Sequence, residues 1–316
     1  MRKPSVSTIT PCFNMKRYLK KFLEELPNQT MFEELEVVLD HNEPDEEEIG
    51  WVREFTEKYP GRLKHIIVEK VDPIGTSMNR CIREAGADIV TIWNVDDLRT
   101  PDSIEIQYKK LVSSPEIGVV YGNSIMVKSF GGREGVLMDF SKYGAEEFTR
   151  SMILGSFVMF KKGLCGQAGF FDEQLKSGAD FDLSVRLGFN SKPVFADGLL
   201  GYYLNEGKGA STRPNSLQRL ERTVIEFRYG IYDKINYDFA PKATQYNITN
   251  ILYQGEFIPV KKYVPDYDEM IRTRREEWAE RGLNRYVSRK ILKKITFFEK
   301  SKFVKKLASY VNSLIG

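Results

Sequence analysis

Residues 6–39 read VSTITPCFNMKRYLKKFLEELPNQTMFEELEVVL, and their pattern decides the fold. The stretch opens with the apolar, β-branched run Val6–Thr10 and closes with a similar run, Leu35–Leu39. Between the two runs, apolar residues recur at helical spacing, at Tyr18, Leu19, Phe22, Leu23 and Leu26. We expect Asn14 to be the N-cap of this helix. A strand, a helix and a second strand therefore begin the chain, an order typical of a parallel sheet.

The same alternation continues to about residue 205. Further apolar runs are His65–Val68, Ile89–Trp93, Val119–Tyr121 and Phe157–Phe160. Helical stripes separate the earlier runs, at Val52, Phe55 and Tyr59 and then at Ile82 and Ala85. Repeated strand–helix units predict an α/β fold with a Rossmann-like, mostly parallel sheet flanked by helices. Because ligands of such sheets bind beyond the carboxyl ends of the strands, the residues that follow each strand are the candidates for chemistry.

Local signals indicate the remaining elements. Thr100-Pro101-Asp102 combines a capping hydroxyl, a proline and an acid, and predicts a helix start. Residues 122–150 are glycine-rich and irregular, so we expect a hairpin that crosses the site. From about residue 215 the pattern is helical and strongly charged. We therefore expect an α/β domain over residues 1–212 and a helical C-terminal extension over residues 213–316.

The composition is that of a globular protein. Of the 316 residues, 41% are hydrophobic and 29% are charged, which excludes a disordered or collagen-like chain. Three scattered cysteines, Cys12, Cys81 and Cys165, are too few for a disulfide framework and predict reduced, buried thiols. We expect a cytoplasmic protein, because the sequence shows neither a signal peptide nor an apolar run long enough to span a membrane.

The charge is distributed unevenly. The formal net charge is +3, but residues 285–316 hold nine Lys and Arg against the single acid Glu299, a net +8. The remainder, with 38 basic and 43 acidic side chains, carries −5. Apolar residues recur at helical spacing in this tail, so two interpretations stay open: a helix on an anionic membrane surface, or a helix that packs on the body or on another subunit. No fold motif supports nucleic-acid binding.

Two aspartates follow the run Ile89–Trp93, in Asn94-Val95-Asp96-Asp97. Carboxylate oxygens at a strand end are ligands that Mg²⁺ and Mn²⁺ prefer, particularly when a substrate supplies phosphates. An aspartate that caps the following helix fits the same four residues. The sequence therefore leaves a metal site and a helix cap open at this position.

A second pair of aspartates lies in Gly178-Ala179-Asp180-Phe181-Asp182. Asp180 is a candidate general base, because a carboxylate is ionised at neutral pH and accepts a proton. Asp182 is a candidate helix cap, since the apolar pattern resumes at Leu183. An ion pair between an aspartate and Arg186 at a helix start fits as well.

Two short turns end the first two strands, Pro11-Cys12-Phe13-Asn14 and Asp40-His41-Asn42-Glu43. An aromatic ring near an aspartate can hold a nucleobase by stacking and hydrogen bonding, although each segment is also an ordinary turn. The two histidines, His41 and His65, have no catalytic or metal-ligand spacing. The sequence has no P-loop and no G-x-G-x-x-G motif, which disfavours Rossmann-type cofactor binding.

Taken in order, these segments resemble the motifs of the family 2 glycosyltransferases, which have the GT-A fold. Five segments over about residues 5–205 carry the resemblance: Ser7–Asn14, Gln29–His41, Gly75–Asn79, Asn94–Asp97 and Gly169–Arg186. Phe13 stands where the family has tyrosine, and Met78 where it has the arginine before the asparagine. Ala179 and Asn94 replace acids of the family pattern.

The resemblance implies an inverting transfer of a sugar from a nucleotide-diphosphate donor, with UDP-sugars favoured, to a hydroxyl of a glycan or lipid-linked acceptor. It implies that Asp97 binds Mn²⁺ or Mg²⁺ at the diphosphate and that Asp180 deprotonates the acceptor. The donor-binding residues that it implies are Pro11, Phe13, Asn14, Asp40, Asn79, Asp96, Gly155 and Ser156. Such an enzyme would act in surface polysaccharide or glycoconjugate synthesis, and the tail would place it on the inner face of the membrane or in a homo-oligomer.

Residues 218–222 read QRLER and lack the Gln-x-x-Arg-Trp signature of processive synthases, so we expect a non-processive enzyme. The substitutions at Ala179 and Asn94 leave a second interpretation open, a catalytically impaired protein of the same fold that binds a nucleotide sugar or a glycan. A GT-A-like nucleotidyltransferase is the third interpretation, although its glycine-rich phosphate loop is missing.

Overall fold

The computed structural model describes residues 3–151, 157–207 and 216–280. Its central sheet contains β1 (Val6–Phe13), β2 (Leu35–Asn42), β3 (Leu63–Val68), β4 (Ile89–Ile92), β5 (Leu98–Arg99), β6 (Ile117–Val127), β7 (Val136–Met138), β8 (Met159–Lys161) and β9 (Lys192–Leu204). The strand order is β3-β2-β1-β4-β8-β6-β9-β5, and β7 pairs with β6. β1–β4, β6 and β9 run in one direction, and β5, β7 and β8 run against them. The predicted α/β fold with a mostly parallel sheet is confirmed.

The helices flank this sheet on both faces. They are α1 (Lys16–Glu25), α2 (Glu46–Lys58), α3 (Ile74–Glu84), α4 (Ser103–Val112), α5 (Ala145–Phe148), α6 (Cys165–Ala168), α7 (Ala179–Asn190), α8 (Gln218–Arg228), α9 (Ala240–Ala243) and α10 (Tyr267–Glu280). Val38 belongs to one buried cluster and its neighbours Val37 and Leu39 to another, because alternate side chains of a strand point to opposite faces. Two apolar cores therefore sandwich the sheet.

Two residues predicted to cap helices do not cap them in the structure. Asn14 is not the N-cap of α1: its φ of 55° is left-handed, and Met15 precedes the first helical residue. The Asn14 backbone instead turns the chain between β1 and α1, which asparagine tolerates better than most residues. The predicted start of α4 is confirmed, since the helix begins at Ser103 with Asp102 as the preceding cap residue. The Thr100 hydroxyl does not cap it and instead donates to the carbonyl of Leu199 at 2.6 Å.

The glycine-rich segment after residue 122 contains the predicted hairpin, formed by β6 and β7. The run Phe157–Phe160 is strand only from Met159 onward. The predicted helical C-terminal extension contains α8, α9 and α10, and between its helices β10 (Asn250–Tyr253) and β11 (Glu256–Pro259) form an antiparallel hairpin that was not predicted.

The described part of the extension packs into the body of the protein. Val224 and Ile225 of α8, and Tyr229 directly after it, belong to the same buried cluster as Ile9 and Val38 of the sheet. The division at residue 212 stays a prediction, but residues 216–280 share a core with the sheet that carries the candidate site. We therefore treat α8 as part of the surroundings of that site.

The cysteines are buried, as expected. Among the described residues, no helix combines the length and the apolar character needed to cross a bilayer. The basic tail, residues 285–316, lies outside the described residues, and both of its interpretations stay predictions.

Candidate functional site

The carboxyl ends of β1, β2 and β4 meet at one edge of the sheet. Pro11 is in register with Asp40 and Phe13 with Asn42, while Ile92 at the end of β4 is in register with Ile9. The structure therefore brings together the Pro11–Asn14 turn, Asp40 and the segment that begins at Asn94. Phe13 is 46% exposed at this edge, and an exposed aromatic ring offers a stacking surface.

Asp40 is fully buried and is held by two partners. The Arg80 guanidinium donates to Oδ2 at 2.6 Å, and the Asn42 amide donates to Oδ1 at 2.7 Å. Arg80 also pairs with Asp72. The motif comparison did not predict Arg80, because the family's arginine precedes the asparagine, where this chain has Met78. The feature of the sequence that could have indicated this residue is an arginine directly after Asn79. In the structure, this arginine places a positive charge beside Asp40 in the predicted nucleoside pocket.

Asn79 is bonded to the segment at residues 171–173. Its amide donates to the Phe171 carbonyl at 3.0 Å and to Glu173 at 2.9 Å, and its Oδ1 accepts from the Phe171 N–H at 2.9 Å. These bonds tie α3 to the segment that leads to α7, and they satisfy a side chain that is completely buried. The predicted role of Asn79 in donor binding stays a prediction that none of these contacts supports.

The two aspartates after β4 differ sharply in their surroundings. The Asp97 carboxylate is buried: Oδ1 accepts from the Leu204 N–H at 2.9 Å, and Oδ2 accepts from the Asn94 amide at 3.1 Å. Asp97 thus ties the turn to the end of β9. The Asp96 carboxylate is half-buried, and desolvation raises its pKa above the ordinary value although the Arg17 charge lowers it. For Asp96, desolvation therefore outweighs the backbone hydrogen bond and the Arg17 charge, which both favour the ionised form.

Asp180 lies in the first turn of α7 and is half-buried. Its Oδ1 accepts from the Phe181 N–H at 2.8 Å. Desolvation raises the pKa of Asp180 to about 6, the hydrogen bond opposes this shift, and the Glu221 charge adds to it. A carboxylate with this pKa is ionised at neutral pH and is more basic than an ordinary aspartate, which suits a general base.

Asp182 is not a helix cap, because α7 begins at Ala179 and Asp182 lies inside it. Its carboxylate accepts from Arg186 at 2.7 Å, Arg228 at 2.7 Å and the Tyr229 hydroxyl at 2.7 Å, all of them fully buried. Although burial opposes ionisation, the two guanidinium groups lower the pKa of Asp182 to about 2. The alternative interpretation from the sequence, an Asp–Arg186 ion pair, is confirmed.

The remaining predicted residues are described only in part. Gly155 and Ser156 lie outside the described residues, and their predicted donor contacts stay predictions. The segment after β9 is described as far as residue 207, and there Glu206 pairs with Arg17 of α1. Since Arg17 also lowers the pKa of Asp96, the start of α1 and the end of β9 both border the Asp96 side of the site.

Comparison with known proteins agrees with the family resemblance of the sequence motifs. The model of the family described as "Glycosyl transferase family 2" matches residues 7–167. The chain is 24% identical to a chondroitin synthase of Escherichia coli over 186 residues, 59% of this chain but 27% of that protein, so it spans well under half of this relative. It is 26% identical to the uncharacterized glycosyltransferase MJ1057 of Methanocaldococcus jannaschii over 244 residues, 72% of this chain and 79% of that protein.

Solved structures of low sequence identity share the fold. The S. aureus TarS 1–349 structure in complex with UDP-GlcNAc superposes with a TM-score of 0.57 at 16% identity, over 76% of this chain and 79% of that one. The mannosyltransferase PcManGT from Pyrobaculum calidifontis, in complex with GDP-Man and Mn²⁺, gives a TM-score of 0.52 at 17% identity, over 100% and 86% of the two chains. These likenesses confirm the predicted GT-A type of fold.

Proposed function

The chain belongs to glycosyl transferase family 2 and is a glycosyltransferase, and from this premise we propose that it carries out one inverting, non-processive transfer from a UDP-sugar to an acceptor hydroxyl. The observation that carries the proposal is Asp180, a half-buried carboxylate at the start of α7 whose pKa is raised to about 6. Phe13, Pro11 and Asp40, with Arg80 beside it, would hold the nucleoside at the edge of the sheet.

The proposed chemistry follows from the charge of Asp180. The ionised carboxylate accepts the proton of the acceptor hydroxyl while the oxygen attacks the anomeric carbon from the side opposite the diphosphate. Attack from that side inverts the anomeric centre. The proton resides on Asp180 after the transfer, and the raised pKa makes this protonated state accessible near neutral pH.

The choice of a UDP-sugar is supported by TarS, which is described with UDP and with UDP-GlcNAc. PcManGT is described with GDP-Man and supports a nucleotide-sugar donor in general. A panel of UDP-, GDP-, CDP- and dTDP-sugars with Mn²⁺ and short glycan acceptors tests the reaction by the nucleoside diphosphate released. We expect release from UDP-sugars that depends on the acceptor. Release of pyrophosphate in a parallel assay with UTP and a sugar 1-phosphate would instead indicate a nucleotidyltransferase. Binding of the nucleotide sugar without release would indicate an impaired binding protein.

A divalent cation fits the site when the donor is present. Among the described residues, no group of three or more potential ligand side chains could hold a metal ion by itself. Mg²⁺ and related ions commonly bind one or two carboxylates together with substrate phosphates, so one aspartate facing the diphosphate suffices. Bound there, the ion would stabilise the charge of the leaving diphosphate as a Lewis acid. We assign this contact to Asp96, with Asp97 holding the turn in place.

The two aspartates should respond differently to substitution. We expect Asp96→Asn to abolish the strengthening of UDP binding by Mn²⁺ in isothermal titration calorimetry and to leave thermal unfolding unchanged. Asp97→Ala should lower the free energy of unfolding by about 1–3 kcal/mol, because the Leu204 N–H and the Asn94 amide lose their acceptor. Loss of the Mn²⁺ effect in the Asp97 variant alone, with unchanged stability, would return the metal-ligand role to Asp97.

The acceptor and the cellular location remain parts of the proposal. An acceptor held at a lipid surface would suit a chain whose last 32 residues carry +8. Flotation with vesicles containing anionic phosphatidylglycerol, with and without residues 285–316, tests this assignment. We expect only the full chain to float, and equal binding by both forms would reject a membrane role for the tail.

A further inference from the structure

Glu221 is a completely buried carboxylate on α8, outside the residues matched by the family model. It accepts from three consecutive backbone N–H groups, those of Lys176 at 2.9 Å, Ser177 at 2.6 Å and Gly178 at 2.8 Å. The Tyr246 hydroxyl donates to it at 3.2 Å. The carboxylate is thus enclosed by donors that belong to one turn and to one tyrosine.

The position of this turn explains why the contact matters. Residues 176–178 immediately precede α7, so their N–H groups lie at the positive end of its dipole, where a buried anion is best compensated. Asp180 is the second residue of α7. A displacement of the turn therefore moves the start of the helix and, with it, the carboxylate that the proposed reaction needs.

We propose that Glu221 is a positioning residue for Asp180, fixing the turn at residues 176–178 so that the base lies at the acceptor hydroxyl. This inference rests on the proposed function of Asp180 as the general base. With this role for Glu221, the active site extends to α8. Glu221 then supplies an acid close to the position where the family pattern has one and this chain has Ala179.

Among the described residues, Glu221 is the acid whose charge raises the pKa of Asp180. Asp182 of the same helix is neutralised by Arg186 and by Arg228 from α8. Lys176 in the turn is exposed to solvent, and on α3 the Arg80 charge is paired with Asp40 and Asp72. Removing the Glu221 charge should therefore change the titration of Asp180 directly.

Titration of Asp180 by NMR tests the contact without any turnover. The protein is labelled with ¹³C at the aspartate carboxyl carbons, and the signal that disappears in Asp180→Asn identifies Asp180. We expect Asp180 in Glu221→Gln to titrate at lower pH than in the wild type. Glu226→Gln is the matched control, because Glu226 is a buried acid of the same helix that pairs with Arg222, and it should leave the titration unchanged. Identical titration in Glu221→Gln and the wild type would overturn the proposal.

Kinetics test the positioning itself. We expect Glu221→Ala to lower kcat by about 100-fold at unchanged KM for the donor, since a misplacement of about 1 Å has this effect on a catalytic group. Glu226→Gln should retain its kcat, and circular dichroism verifies that each variant is folded. A wild-type kcat in Glu221→Ala would reject the proposal.

If Glu221→Ala does not fold, the NMR titration of Asp180 in Glu221→Gln decides the proposal, since glutamine keeps one acceptor oxygen for the turn. If Asp180→Asn itself retains activity, the proposed function fails, and the titration still decides whether Glu221 acts on Asp180.

Discussion

Asp180→Asn is expected to lower kcat by roughly 10²–10⁴-fold, the usual contribution of a positioned general base. Asparagine keeps the size of the side chain and can still accept from the Phe181 N–H, so the start of α7 should be retained. It cannot accept the acceptor proton. Donor binding, measured as the Kd for UDP, should be unchanged, because the proposed nucleoside pocket lies at the ends of β1 and β2.

The pH dependence of the wild type should identify the same carboxylate. Because Asp180 must be ionised to accept a proton and its pKa is about 6, kcat should fall as the pH drops below about 6. Above that value the carboxylate is ionised, and the rate should reach a plateau. In Asp180→Asn this acidic limb should vanish, leaving a low rate with a different pH profile.

Asp197→Asn is a suitable control, because Asp197 is an exposed aspartate on β9. It should retain both the rate and the acidic limb. A wild-type kcat in Asp180→Asn, or an acidic limb that survives in it, would remove the base from the mechanism.

The sequence was sufficient to predict the α/β sheet and its functional edge. Alternating apolar runs and helical stripes are local patterns, and parallel strands necessarily place their carboxyl ends at one edge. The predicted sheet therefore places three segments at one edge: the Pro11–Asn14 turn, Asp40 and the Asn94–Asp97 segment. The register of Pro11 with Asp40 confirms this part of the prediction.

The side-chain partners could not be predicted in the same way. Asp96 and Asp97 are adjacent in sequence, and what distinguishes their surroundings is the backbone N–H of Leu204, more than 100 residues later, which donates to Asp97. Glu221 and Arg228 stood in a segment interpreted as a charged helical extension. Their buried contacts with residues 176–182 depend on the packing of α8, which no local pattern encodes. The β10–β11 hairpin was missed because its two apolar runs are short and lie in a segment that was interpreted as helical.

Arg228 is the central cation of a buried network of charged side chains. Its guanidinium group donates to Asp182 at 2.7 Å, pairs with Asp172 at 2.8 Å and donates to the carbonyl oxygens of Ile248, Asn247 and Asn250. All three charged side chains are completely buried. Such a network is costly to form but more costly to break, because removing the cation leaves buried carboxylates uncompensated.

Arg228→Met should therefore lower the free energy of unfolding by about 3–5 kcal/mol in urea denaturation at neutral pH. Arg272→Met is the matched control: Arg272 pairs with Glu269 and Glu276 on the exposed face of α10, and its loss should cost less than about 1 kcal/mol. Equal losses in the two variants would show that the Arg228 network contributes no more than a surface pair.

The effect of Arg228→Met should also depend on pH, with a sign fixed by Asp182. The pKa of Asp182 is lowered to about 2 in the folded protein, so ionised Asp182 stabilises the wild type above the ordinary aspartate pKa near 3.9, and this contribution is lost as the pH falls towards 2. Without Arg228 much of that contribution is absent at every pH. The difference in stability between the variant and the wild type should therefore narrow between pH 4 and pH 2, whereas a difference caused by packing alone would stay constant.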